Sequence, residues 1–172
     1  YSNILSLLNI SDRNYFLATI HRAENTDYKD RLSIIFEIFA SMDRKVILPL
    51  HPRTKHKISE YGLKTPGSVV IIEPTGYLDM LKLMKNAEAV LTDSGGIQKE
   101  AYYLNAPCIT LRDESEWVET VDTGWNFVVG ADKDKFNSAF KELNNVRTKD
   151  HPFLYGEGDT AARITKILKE TL

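Results

Sequence analysis

Six short runs of apolar, β-branched or aromatic residues recur along the chain, at Tyr15–Ile20, Lys45–Leu50, Val69–Glu73, Ala89–Thr92, Cys108–Leu111 and Phe127–Val129. Most are near-continuous rather than alternating, the pattern of strands covered on both faces. Helical periodicity fills the gaps. Leu32, Ile35, Phe36 and Phe39 follow the i, i+3, i+4, i+7 rule, and Leu78, Leu81, Met84 and Ala87 follow it more loosely. Asp132 is placed to cap a helix with an apolar face of Phe136, Ala139, Phe140 and Leu143. Asp159 is placed to cap a final helix over 159–172 carrying Ile164, Ile167 and Leu168. Strands alternating with helices predict an α/β fold, a Rossmann-like parallel sheet of about six strands with helices on both faces. The chain reads as a single domain over 1–172, with Asn144–Asp159 as its loosest stretch.

The 172 residues are enough to bury roughly 70% of the unfolded surface. A net charge of −2 leaves no face-wide excess of Lys and Arg, which argues against a nucleic-acid or membrane-surface partner. No apolar run approaches the ~20 residues of a membrane span. The single Cys108 excludes an internal disulfide and provides no metal cluster, so a reducing cytoplasm is the expected setting. No signal-peptide pattern is present, and a chain starting at Tyr1 rather than Met is expected to be a piece of something longer.

The apolar run before Asp93 turns through Ser94-Gly95-Gly96 straight into Ile97-Gln98-Lys99-Glu100. The first amides of a helix have no internal partners, and the macrodipole places positive charge there. Two glycines let an anion approach the backbone, and Ser94 is an N-cap candidate. Glu100 falls on the helical face of Gly96, where a carboxylate opposes a phosphate but suits paired sugar hydroxyls. The spacing suggests a nucleoside diphosphate on the amides with its ribose on Glu100. The alternative is a glycine turn that serves only close helix–strand packing.

In a doubly wound sheet, ligands bind beyond the carboxyl ends of the strands. Five of the runs are followed there by unusual residues: His21-Arg22-Ala23-Glu24-Asn25, His51-Pro52-Arg53, Glu73-Pro74-Thr75-Gly76-Tyr77, the Asp93 turn, and Arg112. His21 is read either as a strand-end cap or as a proton-transferring, phosphate-binding group. Arg22 and Glu24 either pair with each other or serve the site, and His51 either satisfies the turn set by Pro52 or faces a ligand. Tyr77 suits stacking on a base, with core packing as the alternative. Arg112 suits a diphosphate or a neighbouring carboxylate. Glu116 and Glu119 lie near a helix start, where they read as solvated or dipole-favoured acids.

Taken together, His21-Arg-Ala-Glu-Asn25, Pro49-Leu-His-Pro52, Glu73-Pro-Thr-Gly-Tyr77, Asp93-Ser-Gly-Gly-Ile-Gln-Lys-Glu100 and Arg112-Asp113 closely resemble the non-hydrolysing UDP-N-acetylglucosamine 2-epimerases over essentially the whole chain. That family has a two-domain fold like the B-type glycosyltransferases. The resemblance implies that this chain is the C-terminal, nucleotide-binding half, with residues 1–12 as a helix leading from the other half.

By the same resemblance, Ser94, Gly95 and Gly96 hold the diphosphate, Glu100 the ribose, Tyr77 the uracil and Arg112 the phosphates. His21 matches an active-site histidine of the family. Arg22 and His51 match positions that contact a second, regulatory UDP-N-acetylglucosamine in some bacterial members, and Glu24 lies in the same motif. The implied partners are UDP, a UDP-N-acetylhexosamine and an N-terminal half; a homodimer is compatible with an exposed cleft face. The implied reaction eliminates UDP to a 2-acetamidoglucal and re-adds it on the other face, without nicotinamide or metal. The acids that handle the C2 proton belong to the N-terminal half, so the chain alone is expected to be inactive. One departure stands out: many members continue from the arginine into Thr-Glu-Arg-Pro-Glu, where this chain has Glu114-Ser-Glu-Trp-Val-Glu119. Related readings are a hydrolysing epimerase, a B-type glycosyltransferase or a stand-alone UDP-sugar-binding module.

Overall fold

The computed structural model describes residues 2–156 and 158–171. The elements run α1 (Ile4–Leu7), β1 (Tyr15–Thr19), α2 (Ala23–Thr26), α3 (Lys29–Ala40), β2 (Lys45–Pro49), α4 (Pro52–Tyr61), β3 (Val69–Ile72), α5 (Tyr77–Asn86), β4 (Val90–Thr92), α6 (Gly95–Tyr103), β5 (Cys108–Thr110), α7 (Val118–Asp122), β6 (Asn126–Val128), α8 (Lys133–Val146) and α9 (Thr160–Thr171). The six strands form one parallel sheet in the order β3-β2-β1-β4-β5-β6. The order reverses between β1 and β4, so the crevice at their carboxyl ends is the position where such folds take ligands.

Successive residues of a strand point to opposite faces, and the core divides accordingly. Phe16 and Ala18 of β1 join α3 and α8 on one face, through Leu32, Phe36, Phe39, Phe136 and Leu143. Tyr15 and Leu17 join α1, α5 and α6 on the other, through Ile4, Leu83, Met84 and Ala101. Cys108 lies in this second cluster, where burial pushes its thiol up to about 12. Among the described residues no helix is long and apolar enough to cross a membrane.

Four differences from the sequence reading have local causes. The helix expected over the first 12 residues is confined to Ile4–Leu7. Asn9 takes the left-handed conformation (φ 49°), and the N–H groups of Asn9 and Ile10 donate to the carbonyls of Ser6 and Leu5. This double closure is the Schellman ending, with Asn in the place usually held by Gly.

The turn expected at Pro52 begins a full helix, α4. His51 is its N-cap, Pro52 its first residue, and Gly62 (φ 65°) its left-handed terminator. Only Thr54 of α4 is buried, which is why hydrophobic periodicity did not reveal it.

The stretch expected to be loosest, Asn144–Asp159, is tied down along its described middle. Arg147 donates to the carbonyls of Ala87, Glu88 and Asn105. Trp125 Nε1 donates to the Asp150 carbonyl and the Tyr102 hydroxyl to that of Pro152, while the His151 ring stacks on Tyr102 at 4.1 Å. Finally, the apolar stripe of α9 is not core: Ile164, Ile167 and Leu168 are all more than half exposed.

Candidate functional site

Each residue group singled out at the strand ends sits on the carboxyl rim of the sheet, but their mutual partners differ from those expected. At the switch point Asp93, the residue after β4, is fully buried. Its carboxylate reaches across to the chain leaving β1 and accepts the backbone N–H of His21 at 3.1 and 3.0 Å and that of Arg22 at 3.0 Å. The buried Asn25 donates its amide to Asp93 Oδ2 at 3.2 Å and to the Leu111 carbonyl at 2.8 Å. One carboxylate and one amide thereby fasten the ends of β1, β4 and β5 together, as expected for a buried charge that persists only when its lone pairs are filled. Thr19 and Thr92, paired in the sheet, share a 2.6 Å hydroxyl contact just beneath.

This knot aims the His21 ring. Nδ1 lies 3.4 Å from Asp93 Oδ1, and the ring meets that of His51 with centroids 5.4 Å apart. Burial is the largest influence on His21 and lowers its imidazolium pKa; Asp93 pulls it upward, and His51 and Arg22 push it further down. His21 is therefore placed to act as a neutral imidazole near neutral pH. His51 spends its Nδ1 lone pair on the Arg53 N–H at 3.2 Å, the N-cap bond of α4.

The turn into α6 forms as its composition requires. Ser94 occupies the N-cap position, but its hydroxyl makes no capping bond. The first protein acceptor in the ladder is the Ser94 carbonyl, which takes the Gln98 N–H. Among the described residues no side chain makes a capping hydrogen bond to the amides of the first turn, and they carry the positive end of the helix dipole.

Above them lies the segment after β5. Ser115 Oγ donates to Gln98 Oε1 and accepts the Trp117 N–H, and Trp117 Nε1 donates to the Gly95 carbonyl at 2.7 Å. Glu116 is thus held against the bare glycine, so that a Cβ on Gly95 would stand 3.2 Å from Glu116 Oε2.

Of the two partners expected for Arg112, a diphosphate or a neighbouring carboxylate, the structure shows carboxylates. Arg112 is nearly buried and clamped between two of them: Nε donates to Glu24 at 2.8 Å, and Nη1 to both oxygens of Glu116 at 2.7 and 2.9 Å. Glu24 pairs with Arg112 and not with its neighbour Arg22, whose side chain is exposed at the rim near His21 and Glu116. The Arg112 hydrogen bonds hold the Glu116 carboxyl below its usual value.

Tyr77 starts α5 and is 63% exposed. Its hydroxyl faces Glu100, whose charge is the largest influence holding the phenol above its ordinary value. The residues expected for uracil and ribose, Tyr77 and Glu100, are therefore brought together between α5 and α6.

Sequence reasoning did not assign Asp93, Asn25 or Glu116 to these positions. The pairing of Asn25 and Asp93 had no local signal, since 68 residues separate them. An aromatic cleft between α6 and the segment from His151 to Gly156 lies off the rim, and the Tyr102 and Tyr103 hydroxyls lining it already donate to the carbonyls of Pro152 and Tyr155.

Comparison with known proteins accords with this architecture. The family model for UDP-N-acetylglucosamine 2-epimerase matches residues 1–169. The chain is 48% identical over 168 residues to the UDP-N-acetylglucosamine 2-epimerase of Methanocaldococcus jannaschii, covering 92% of this chain and 45% of that protein. It is 44% identical over 161 residues to the UDP-2,3-diacetamido-2,3-dideoxy-D-glucuronate 2-epimerase of Pseudomonas aeruginosa, with 92% and 45% covered. Among solved structures, the M. jannaschii UDP-GlcNAc 2-epimerase in complex with UDP-GlcNAc and UDP superposes with a TM-score of 0.84 at 45% identity, over 99% of this chain and 49% of that one. The chain spans about half the length of the relatives it matches. By its sequence along nearly its whole length and by its fold, the chain belongs to the UDP-N-acetylglucosamine 2-epimerase family.

Proposed function

We propose that this chain is the UDP-binding half of an enzyme that interconverts UDP-N-acetylglucosamine and UDP-N-acetylmannosamine, a cytoplasmic protein whose other half precedes Tyr1. The observation that carries the reading is the α6 N-terminus. Uncapped amides and two glycines lie one helical turn from Glu100, opposite Tyr77, at the switch point of the sheet. A diphosphate suits the amides, a ribose diol suits Glu100, and an aromatic base suits the exposed Tyr77 ring. Relatives of this family have been crystallised with UDP-GlcNAc and UDP, which supports the ligand class.

In the proposed reaction the C2 proton leaves the sugar and the C1–O bond breaks with its electron pair on the UDP oxygen, forming a 2-acetamidoglucal. UDP then adds back to C1 while C2 is reprotonated on the opposite face. The role of this half is to stabilise the departing diphosphate. Negative charge grows on its bridging oxygen in the transition state, where the α6 amides provide fixed donors and Arg112 a fixed positive charge. The C2 acid and base lie outside this chain, so the purified 172 residues are expected to give no turnover. Epimerisation by a preparation free of longer enzyme would refute that point.

Calorimetric titration of UDP, with ADP as control, tests the ligand. Selective UDP binding that is lost in Glu100→Ala and weakened in Tyr77→Ala supports the reading, and a folded chain that ignores UDP overturns it. A second sugar is favoured by one observation, the 44% identity to a UDP-diacetamido-glucuronate 2-epimerase. Product analysis on the longer protein with both UDP-sugars separates the two, and also separates epimerisation from hydrolysis or transfer.

A further inference from the structure

His21 and His51 meet at the carboxyl ends of the adjacent strands β1 and β2, yet each ring is tied at Nδ1 to a partner of the opposite kind. The Asp93 carboxylate beside His21 Nδ1 cannot turn away, because its oxygens already hold two backbone N–H groups and the Asn25 amide. A lone pair on Nδ1 facing that buried carboxylate at 3.4 Å would be repelled, whereas an N–H there is attracted. His51 is the reverse case. Its Nδ1 accepts the Arg53 N–H at 3.2 Å, so Nδ1 must keep its lone pair, and the proton of the neutral ring belongs on Nε2.

We propose that Asp93 is the positioning residue that fixes His21 as the Nδ1–H tautomer while the α4 cap fixes His51 as the Nε2–H tautomer, so that the carboxyl rim of the sheet presents one bare imidazole nitrogen and one imidazole N–H side by side. His21 Nε2 is then a proton acceptor and His51 Nε2–H a hydrogen-bond donor. The pair matches a ligand that places a hydroxyl or protonated oxygen next to an anionic oxygen, as a nucleotide sugar does at its glycosidic phosphate. This chemical consequence rests on the function proposed above; the tautomers themselves do not. The ionisable groups bearing on His21 are Asp93, His51 and Arg22.

The test is a long-range proton–nitrogen correlation spectrum of the histidine rings in the nitrogen-15-labelled chain at about pH 8, where imidazoles are neutral. The chain has four histidines, and His21→Gln and His51→Gln assign two of the patterns. The expected spectrum shows His21 protonated on Nδ1 and His51 on Nε2. In Asp93→Asn an amide N–H replaces the oxygen facing Nδ1, so His21 is expected to switch to the Nε2–H form while His51 keeps its pattern.

The proposal falls if wild-type His21 is protonated on Nε2 or averages between tautomers, or if His51 carries its proton on Nδ1. It falls equally if Asp93→Asn folds and leaves the His21 pattern unchanged. Should that variant fail to fold, the wild-type spectrum decides alone. Absence of UDP binding would sink the function proposed above and leave these tautomers standing, so the two failures are told apart.

Discussion

Glu116 puts a negative charge where a phosphate would otherwise settle, against Gly95 at the α6 N-terminus and on Arg112. Under the proposed function a diphosphate must displace it or share its donors. Exposed ion pairs contribute up to about 1 kcal/mol, and the Glu116 side chain is about half exposed. Glu116→Gln is therefore expected to tighten UDP binding by up to about fivefold in calorimetry. Unchanged or weaker binding would show that the carboxylate does not compete.

His21 links stability to pH. Its imidazolium is less favoured in the folded chain than at the ordinary value of 6.5, so protonation favours unfolding. This contribution is complete above pH 6.5 and is lost as the pH falls through the lowered folded value. Urea midpoints between about pH 7 and pH 5 should fall less steeply in His21→Gln than in the wild type. An identical slope would mean that His21 is solvated as freely as in the unfolded chain.

Residue choice at the rim was legible because polar, charged and aromatic residues stand at the ends of otherwise apolar strands. Residue pairing was not. Glu24 lies two positions from Arg22 but bonds to Arg112, 88 positions away, because the sheet order brings those strand ends together.

At the scale of elements, α4 and α9 are the two helices that periodicity misjudged, for opposite reasons. α4 has almost no apolar face, yet Pro52 at its first position and Gly62 after its end mark it by backbone chemistry. Gly62 has open space around its Cα, so replacing it leaves only the backbone cost of the left-handed conformation. Gly62→Ala is expected to lower the unfolding free energy by about 1 kcal/mol in denaturant titration. A neutral result would place the helix terminus elsewhere.

α9 has a clear apolar stripe, yet none of its described side chains is buried, so its amphipathicity predicts a surface and not a partner within this domain. Truncation after Asp159 should therefore move the melting temperature of the chain by less than about 2 °C, since lost buried area is what lowers it. A larger drop would mean that α9 packs on the sheet in solution.

At the scale of the whole molecule, a sheet with six parallel strands and helices on both faces provides a rigid frame with one crevice, at the reversal between β1 and β4. Everything proposed for the site depends on loops that this frame holds at fixed spacing. A ligand that binds only the folded frame stabilises it by mass action, by about 2.7 kcal/mol at a hundredfold excess over its dissociation constant. For a domain of this size, saturating UDP should raise the melting temperature by about 5–10 °C, and saturating ADP by much less. Equal shifts from both nucleotides would remove the base selectivity assigned to Tyr77.

The sequence alone determined the strand positions, the parallel α/β class, the glycine turn into α6 and the set of rim residues. These depend on local periodicity and on short-range backbone preferences, which neighbouring residues reveal. Only the tertiary structure decided that Asp93 clamps the chain at His21 and Arg22, that Arg112 lies between Glu24 and Glu116, that Glu116 covers Gly95, and that the stripe of α9 faces outward. Those outcomes depend on which strand ends the sheet order makes adjacent and on which polar groups must find partners once water is excluded. Side-chain partners 70 or 90 residues apart leave no trace in local sequence, because nothing but the fold brings them together.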